Sequence, residues 1–223
     1  MNIVWYPTLR CNLKCAYCNA RSLPVIEHGK EQTANAWQEL FWSCRRQIGD
    51  LIICGGEPSL YQGLDRALET LPLPARVHVA TNLAIDPESW LTESVRPRIG
   101  SLLLSLHFDP SDKRAASFWL RAQWVRGVLP ETYIRAHVTR TQQLMEEPIA
   151  TAVRMAAERG LDLEITDFDD HWNWRNKLPE RDGEAVCGGG ADLVVLMPDG
   201  TAYRCLGHAY SNRNELEIGR AHV

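Results

Sequence analysis

The segment Arg10-Cys-Asn-Leu-Lys-Cys-Ala-Tyr-Cys18 places three cysteines within eight residues, in a C-x3-C-x2-C spacing. It directly follows an apolar run at 3–6 that predicts a β-strand. Cysteine thiolates in short loops hold iron–sulfur clusters, and three thiolates on a four-iron cube leave one iron without a protein ligand. The segment therefore predicts a cluster with an open iron, ligated by Cys11, Cys15 and Cys18.

A second motif, Gly55-Gly-Glu-Pro58, directly follows another apolar run at 51–54. The cysteine segment and this turn, in this order and each after a predicted strand, resemble the radical SAM superfamily. In that family the open iron of a [4Fe-4S] cluster binds the amino and carboxylate groups of S-adenosylmethionine, and the glycine-rich turn contacts the same cofactor. The resemblance implies an enzyme that reductively cleaves S-adenosylmethionine to a 5′-deoxyadenosyl radical, which abstracts hydrogen from a substrate.

The resemblance also implies roles for residues around the cofactor. Tyr17 is expected to pack near the adenine, with ordinary loop packing as the alternative. Gly55 and Gly56 lack a Cβ and so allow the backbone to approach a ligand closely. Glu57 carries a charge that can pair with the cofactor ammonium.

Residues at the ends of later predicted strands complete the expected pocket. Asn82 and Ser105 are expected to contact the ribose, and Arg135 the cofactor carboxylate, a pairing that guanidinium geometry favours. His107 is the candidate catalytic residue, as a proton donor or a substrate contact. A lone histidine in an apolar strand is also a common hydrogen-bonded core residue, and that alternative stays open.

The cysteine segment has two other interpretations. A structural zinc site is closed by four ligands and would need His28 or a distant cysteine in addition. Zinc motifs usually come as two paired halves, and no partner pair lies near this segment. A disulfide framework needs an oxidising compartment and usually a short secreted chain, neither of which is indicated. The iron–sulfur interpretation is favoured, and Cys44 and Cys54 are interpreted as small core residues.

Short apolar runs alternate with segments of helical period, which is typical of βα units and a parallel sheet. Strands are predicted near 2–6, 50–54, 76–80, 100–106, 132–138 and 161–165. Apolar residues at helical spacing predict helices at Trp37, Leu40, Phe41 and Cys44 and at Ile149, Val153, Met155 and Ala156. The predicted fold class is α/β, a partial (β/α)6 TIM-like barrel over 1–166. Chemistry collects at the carboxyl ends of the strands in such barrels, and both motifs follow strands.

The C-terminal part of the sequence changes character. Residues 167–186 are polar and aromatic, which favours a linker or lid. Trp172 and Trp174 within it are candidates to line a substrate cavity or to seal the barrel. Pro198-Asp-Gly200 is a turn signal between two apolar runs and predicts a small C-terminal β-hairpin.

Cys187 and Cys205 bracket this hairpin in a C-x12-G-x4-C arrangement. It resembles the opening half of the SPASM or twitch auxiliary-cluster domain, here 187–217, and implies that both cysteines ligate an auxiliary iron–sulfur cluster. Unrelated cysteines and a zinc half-site are the alternatives. The family supplies further ligands in a later tail. Residues 218–223 can be encoded by ATC GGA AGA GCA CAC GTC, which resembles a sequencing adapter, so we expect a non-native tail and a truncated C-terminus.

Composition and charge restrict the partners. The chain has 223 residues, 45% of them apolar and 23% charged, as in an ordinary globular protein. A net charge of −4 without blocks of like charge argues against nucleic acid. The sequence contains neither a signal segment nor a long apolar run, so we expect no membrane association and a cytoplasmic location. A reductant such as ferredoxin or flavodoxin is the expected protein partner.

The favoured function is modification of a peptide or protein substrate, because many relatives with the auxiliary extension act on such substrates. This step rests on fold-level analogy. Modification of a small molecule is the alternative within the same family. A noncatalytic iron–sulfur electron carrier and an inactive fragment are alternatives of another class, and binding of S-adenosylmethionine distinguishes the carrier from the enzyme.

Overall fold

The computed structural model describes residues 1–15, 18, 31–71, 76–107, 113–140, 146–167 and 193–203. The strands in these ranges are β1 (Asn2–Trp5), β2 (Asp50–Ile53), β3 (Arg76–Thr81), β4 (Ile99–Leu106), β5 (Tyr133–Arg140), β6 (Asp162–Asp167), β7 (Leu193–Leu196) and β8 (Ala202–Tyr203). The α-helices are α1 (Ala34–Cys44), α2 (Leu64–Glu69), α3 (Lys113–Val128) and α4 (Glu146–Ala157). Short 3-10 helices span Pro58–Leu60, Pro87–Ser89 and Arg96–Arg98.

All eight of these strands form one sheet in the order β6-β5-β4-β3-β2-β1-β7-β8. Every neighbouring pair is parallel except β7 and β8, which are antiparallel. The α/β fold with an open partial barrel is confirmed, as are the six predicted strands and the hairpin. Strand β7 also pairs in parallel with β1, with Asn2 opposite Leu193. The hairpin therefore extends the barrel sheet.

The main core lies between the sheet and its helices. Trp5 of β1 packs edge-on against Trp37 and Phe41 of α1, with ring centroids 5.3 and 5.2 Å apart. All three side chains are buried. Leu40 and Cys44 are partly buried against the same core, which confirms the predicted apolar face of α1.

Helix α4 buries a narrower stripe than the sequence predicts. Its buried residues are Ile149, Ala152 and Ala156, and Met155 is partly buried. Val153 is 46% exposed, so its predicted place on the apolar face is wrong. The centre of the buried stripe falls between Ala152 and Ala156. At 3.6 residues per turn, Val153 lies about 80° around the helix from this centre.

The inner face of the sheet is the face opposite the helices. Near β1 and β7 it is apolar and carries a separate cluster of Val4, Tyr6, Val195, Met197 and Tyr203. On β3 to β6 it carries polar side chains that bond across neighbouring strands. His78 Nδ1 and Ser101 Oγ are 2.7 Å apart, and Arg135 pairs with Glu164 at 3.1 Å. The barrel therefore offers a polar inner surface beside an apolar one.

Candidate functional site

Backbone hydrogen bonds hold the cysteine segment against the Gly-Gly-Glu-Pro turn. Beyond the ends of β1 and β2, Gly56 N donates to Thr8 O at 3.0 Å and Glu57 N donates to Arg10 O at 2.8 Å. These bonds continue the parallel pairing of β1 with β2. The two motifs therefore lie side by side at the carboxyl ends of adjacent strands, where the sequence predicts them.

The two glycines of the turn permit this close approach of one backbone to another. A Cβ on Gly56 would lie 2.1 Å from Arg10 O, far inside van der Waals contact. Gly55 has φ +124°, and a Cβ there would lie 2.7 Å from Thr8 O. The sequence interpretation attributes the glycines to a ligand. The described contacts show a further reason, since the backbone leading into the cysteine segment occupies this space.

Glu31 anchors the start of the cysteine segment. Arg10 donates to its carboxylate from Nε at 2.9 Å and from Nη2 at 2.8 Å, and the Thr8 hydroxyl donates to it as well. Arg10 Nη2 also donates to Leu60 O at 3.1 Å, just after the glycine turn. Paired guanidinium–carboxylate bonds fix geometry as well as distance. Sequence analysis missed Thr8 and Glu31 because no motif spacing links them.

The three cysteines are free thiols on one short loop. Cys18 N donates to Cys15 O at 3.2 Å. Burial raises the pKa of Cys11, the Leu13 N–H opposes this, and the charges of Glu57, Cys15 and Cys18 raise the pKa further. The thiols are therefore close enough to interact, and bound metal would stabilise the thiolates that otherwise repel one another.

The donor set fits an iron–sulfur cluster. Within the described ranges, no group of three or more histidine, cysteine or carboxylate side chains is spaced to hold a single metal ion. In a four-iron cube each thiolate binds a different iron, so cluster ligands stand farther apart than the ligands of one ion. Soft thiolate donors in a turn-rich loop suit such a cluster.

The Glu57 carboxylate is buried and accepts four hydrogen bonds, three at Oε1 and one at Oε2. Its Oε1 accepts from Thr81 Oγ1 at 2.6 Å and from Ser59 Oγ and N at 2.6 and 3.1 Å. Its Oε2 accepts from Asn82 N at 2.6 Å. Glu57 thus joins the glycine turn to the end of β3. Its contact with a cofactor ammonium stays a prediction, and these bonds give it a structural role besides.

Replacing Glu57 with glutamine is expected to destabilise the protein by about 1–3 kcal/mol. The glutamine NH2 group would replace one carboxylate oxygen and would face a donor that now bonds to that oxygen. Urea unfolding of the apoprotein measures this loss. Glu39→Gln, an exposed change on α1, is the matched control and is expected to change stability by less than about 0.5 kcal/mol. Equal stability of both variants would contradict the structural role.

Asn82 lies between the end of β3 and the cysteine segment. Its Nδ2 donates to Asn12 Oδ1 at 3.0 Å and to Cys11 Sγ at 3.8 Å. The strand pairing places Thr81 opposite Leu104, so Asn82 and Ser105 come next on adjacent strands. Asn82 therefore lies beside the cysteine segment, and Ser105 follows on the neighbouring strand.

His107 follows the end of β4. Burial, together with the nearby charge of His137, lowers the pKa of His107 to about 4, so its imidazole is neutral at pH 7. Proton transfer is most efficient when the pKa lies near the operating pH. A neutral hydrogen-bonding contact therefore suits His107 better than proton donation. His137 itself bonds to Thr166 on β6 through Nε2.

The lowered pKa of His107 predicts acid sensitivity. This imidazole binds a proton less readily in the folded protein than in the unfolded chain. The contribution of His107 to folding stability is therefore complete above about pH 6.5 and is lost as the pH falls toward 4. The contribution is at most about 3 kcal/mol. His107→Gln is expected to lose less stability than the native protein over this window. Parallel urea midpoints at pH 4.5 and 7.5 measure the difference, and equal losses would contradict it.

Arg135 is held by its neighbours on the outer strands of the barrel. Its Nη1 bonds to Glu164 at 3.1 Å, and its guanidinium lies 5.2 Å from the Tyr133 ring centroid. In the described ranges, no hydrogen bond links Arg135 to the cysteine segment. Its contact with a cofactor carboxylate stays a prediction, and the bond to Glu164 uses only Nη1 of the guanidinium.

Several predicted site residues lie outside the described residues. They are Tyr17, the zinc alternative His28, Trp172, Trp174, and the proposed auxiliary ligands Cys187 and Cys205. Cys44 and Cys54 are described, and both are partly buried against apolar clusters as predicted. Burial raises the pKa of Cys54 to about 11, which keeps this thiol protonated.

Known proteins resemble this chain in sequence or in structure. The probable GTP 3′,8-cyclase of Methanocella arvoryzae (strain DSM 22066 / NBRC 105507 / MRE50) is 38% identical over 106 residues, which are 46% of this chain and 34% of that protein. The chain thus spans about a third of this relative. The crystal structure of BtrN in complex with AdoMet and 2-DOIA superposes with a TM-score of 0.51 at 18% identity, covering 92% of this chain and 72% of that one. The second likeness supports the fold alone.

A family model also matches the sequence directly. The model described as the radical SAM superfamily matches residues 5–116, about half of the chain. The match contains the cysteine segment, the glycine turn and strands β2 to β4. Members of this family use a [4Fe-4S] cluster and S-adenosylmethionine. This chain belongs to the radical SAM superfamily.

Proposed function

We propose that the protein is an enzyme that binds a [4Fe-4S] cluster through Cys11, Cys15 and Cys18 and uses S-adenosylmethionine to abstract hydrogen from a substrate. The observation that carries this proposal is the pair of backbone bonds from Gly56 and Glu57 to 8–10. An electron carrier needs cysteines, but it needs no second motif locked beside them. When bound, the two cofactors supply the radical chemistry, and the chain's residues bind and orient them.

The surrounding residues have proposed roles in this site. Tyr17 packs near the adenine, Asn82 and Ser105 contact the nucleoside, and Glu57 contacts the ammonium or supports the turn that does. The neutral imidazole of His107 contacts the substrate, since it adjoins the polar inner face. Arg135 contacts the cofactor carboxylate through guanidinium nitrogens that its bond to Glu164 does not use.

The proposed extension follows the barrel. Cys187 and Cys205 ligate an auxiliary cluster, and the described part of the hairpin between them supports this in one respect. Strands β7 and β8 are antiparallel neighbours, so the chain enters and leaves the hairpin on the same side. An external reductant such as ferredoxin or flavodoxin supplies the electron. No helix in the described ranges is both long and apolar enough to cross a membrane, and the cytoplasm is the proposed location.

Two substrate classes are proposed. A peptide or protein follows from the resemblance of the 187–205 segment to auxiliary-cluster domains. A small polar molecule is supported by the polar inner face, where His137, Thr166 and Ser101 take part in hydrogen bonds, and by the name of the GTP cyclase relative. Formation of 5′-deoxyadenosine with and without added GTP tests the nucleotide case of the small-molecule class. Stimulation by GTP supports the small molecule, and its absence argues against a nucleotide.

The experiment that tests the proposed function starts with anaerobic reconstitution with iron and sulfide. The loaded protein is reduced with dithionite in the presence of S-adenosylmethionine, and 5′-deoxyadenosine is quantified. Product above a control without dithionite supports the enzyme. A stable cluster that neither binds S-adenosylmethionine nor yields product would contradict the proposal and favour an electron carrier.

A further inference from the structure

The side chain of Asn82 is buried at the junction of β3 with the cysteine segment, with 5% of its surface exposed. Its Nδ2 has two acceptors, Asn12 Oδ1 at 3.0 Å and Cys11 Sγ at 3.8 Å. Its backbone N–H donates to Glu57 Oε2 at 2.6 Å. Both hydrogens of the amide group therefore have acceptors, one of which is a proposed cluster ligand.

The side-chain oxygen of Asn82 is different. Oδ1 is buried and has no hydrogen-bond partner among the described residues. A buried carbonyl without a donor loses its hydration without replacement, so such atoms are rare in folded proteins. Turning over the Asn82 amide alone would place two oxygens against each other, and it would point Oδ1 at Cys11 Sγ, which as a cluster-bound thiolate has no hydrogen to donate. Oδ1 is thus aimed at a donor that the described chain does not provide.

We infer that Asn82 bridges the two cofactors, donating from Nδ2 to the Cys11 thiolate of the bound cluster and accepting at Oδ1 from bound S-adenosylmethionine. The inference rests on the proposed function, because it requires both groups to bind here. The donor on the cofactor is its ammonium or a ribose hydroxyl. Hydrogen bonds to cluster sulfurs stabilise the more negative, reduced cluster and raise its reduction potential. Asn82 is therefore a positioning residue that also sets this potential.

Two variants separate the roles of the amide. Asn82→Leu removes the donors and the acceptor at similar volume, whereas Asn82→Asp keeps acceptor oxygens and loses the N–H donors. Each variant is reconstituted anaerobically, and iron and sulfide per chain are measured first. The midpoint potential comes from a redox titration followed by electron paramagnetic resonance without S-adenosylmethionine. Equilibrium dialysis with the oxidised cluster gives the affinity for S-adenosylmethionine.

We expect Asn82→Leu to lower the equilibrium constant for cluster reduction about tenfold, which is about 59 mV for one electron. It is also expected to bind S-adenosylmethionine about tenfold more weakly. Asn82→Asp is expected to lower the potential and to retain affinity. Tighter binding to Asn82→Asp identifies the ammonium as the donor, and unchanged binding identifies a ribose hydroxyl. Asn35→Leu, an exposed change on α1, is the control and should alter neither quantity.

Unchanged potentials in cluster-loaded Asn82→Leu and Asn82→Asp would overturn the donor role. Unchanged affinity in Asn82→Leu would overturn the acceptor role. If Asn82→Leu does not hold a cluster, Asn82→Asp decides both roles, and a tenfold loss of its affinity overturns the acceptor role. Failure of the proposed function itself is distinguishable, because the native protein would then lack a cluster or 5′-deoxyadenosine formation.

Discussion

Replacing Cys15 with alanine is expected to abolish 5′-deoxyadenosine formation, to the level of a reaction without protein. Cys15 supplies one of three proposed thiolate ligands, and its carbonyl also accepts from Cys18 N at 3.2 Å within the same loop. With two thiolates left, two irons of a four-iron cube lack a protein ligand instead of one, so the chain holds the cluster less firmly. Iron and sulfide per chain after anaerobic reconstitution, together with the product assay, measure the loss.

The chain offers a matched cysteine for this test. Cys44 lies on α1, partly buried against the main core, and its Sγ lies 3.2 Å from Leu40 O. Cys44→Ala is expected to cost about 1 kcal/mol of stability and to leave cluster content and product formation at native levels. Loss of the cluster in Cys44→Ala but not in Cys15→Ala would contradict the assignment of the ligands.

The strands were predictable because each lies in a sheet covered by helices on one side. Strands β5 and β6 alternate apolar residues with polar ones, as expected for strands covered on one face, whereas β1 and β2 are nearly continuous apolar runs. The predicted strand near 50–54 is Asp50–Ile53, and the one near 161–165 is Asp162–Asp167. The position of both motifs followed from the same pattern, since each comes directly after such a run.

Long-range contacts were not predictable from the sequence. Two of the four hydrogen bonds to the Glu57 carboxylate come from Thr81 and Asn82, at the end of another strand. A carboxylate beside two glycines carries the same sequence signal whether it faces a ligand or a neighbouring strand. Arg135 is similar, because nothing in its spacing marks Glu164 as its partner. The parallel pairing of β7 with β1 joins segments far apart in the chain and has no local signal.

Replacing Gly56 with alanine is expected to destabilise the apoprotein by at least about 3 kcal/mol, a loss typical of severe steric strain. The new Cβ would lie 2.1 Å from Arg10 O, and neither backbone can yield without breaking the bonds from Gly56 N to Thr8 O and from Glu57 N to Arg10 O. Because these bonds join the turn to the cysteine segment, cluster content is expected to fall together with stability.

Gly127→Ala is the matched control for this effect. Gly127 lies near the end of α3, and a Cβ there would have nothing within 4 Å. Alanine favours helix by about 1 kcal/mol over glycine, so this variant is expected to gain up to that amount in urea unfolding and to bind the cluster normally. The comparison isolates position from chemistry, since both variants add the same methyl group. Native stability and cluster content in Gly56→Ala would show that the two motifs can separate without consequence.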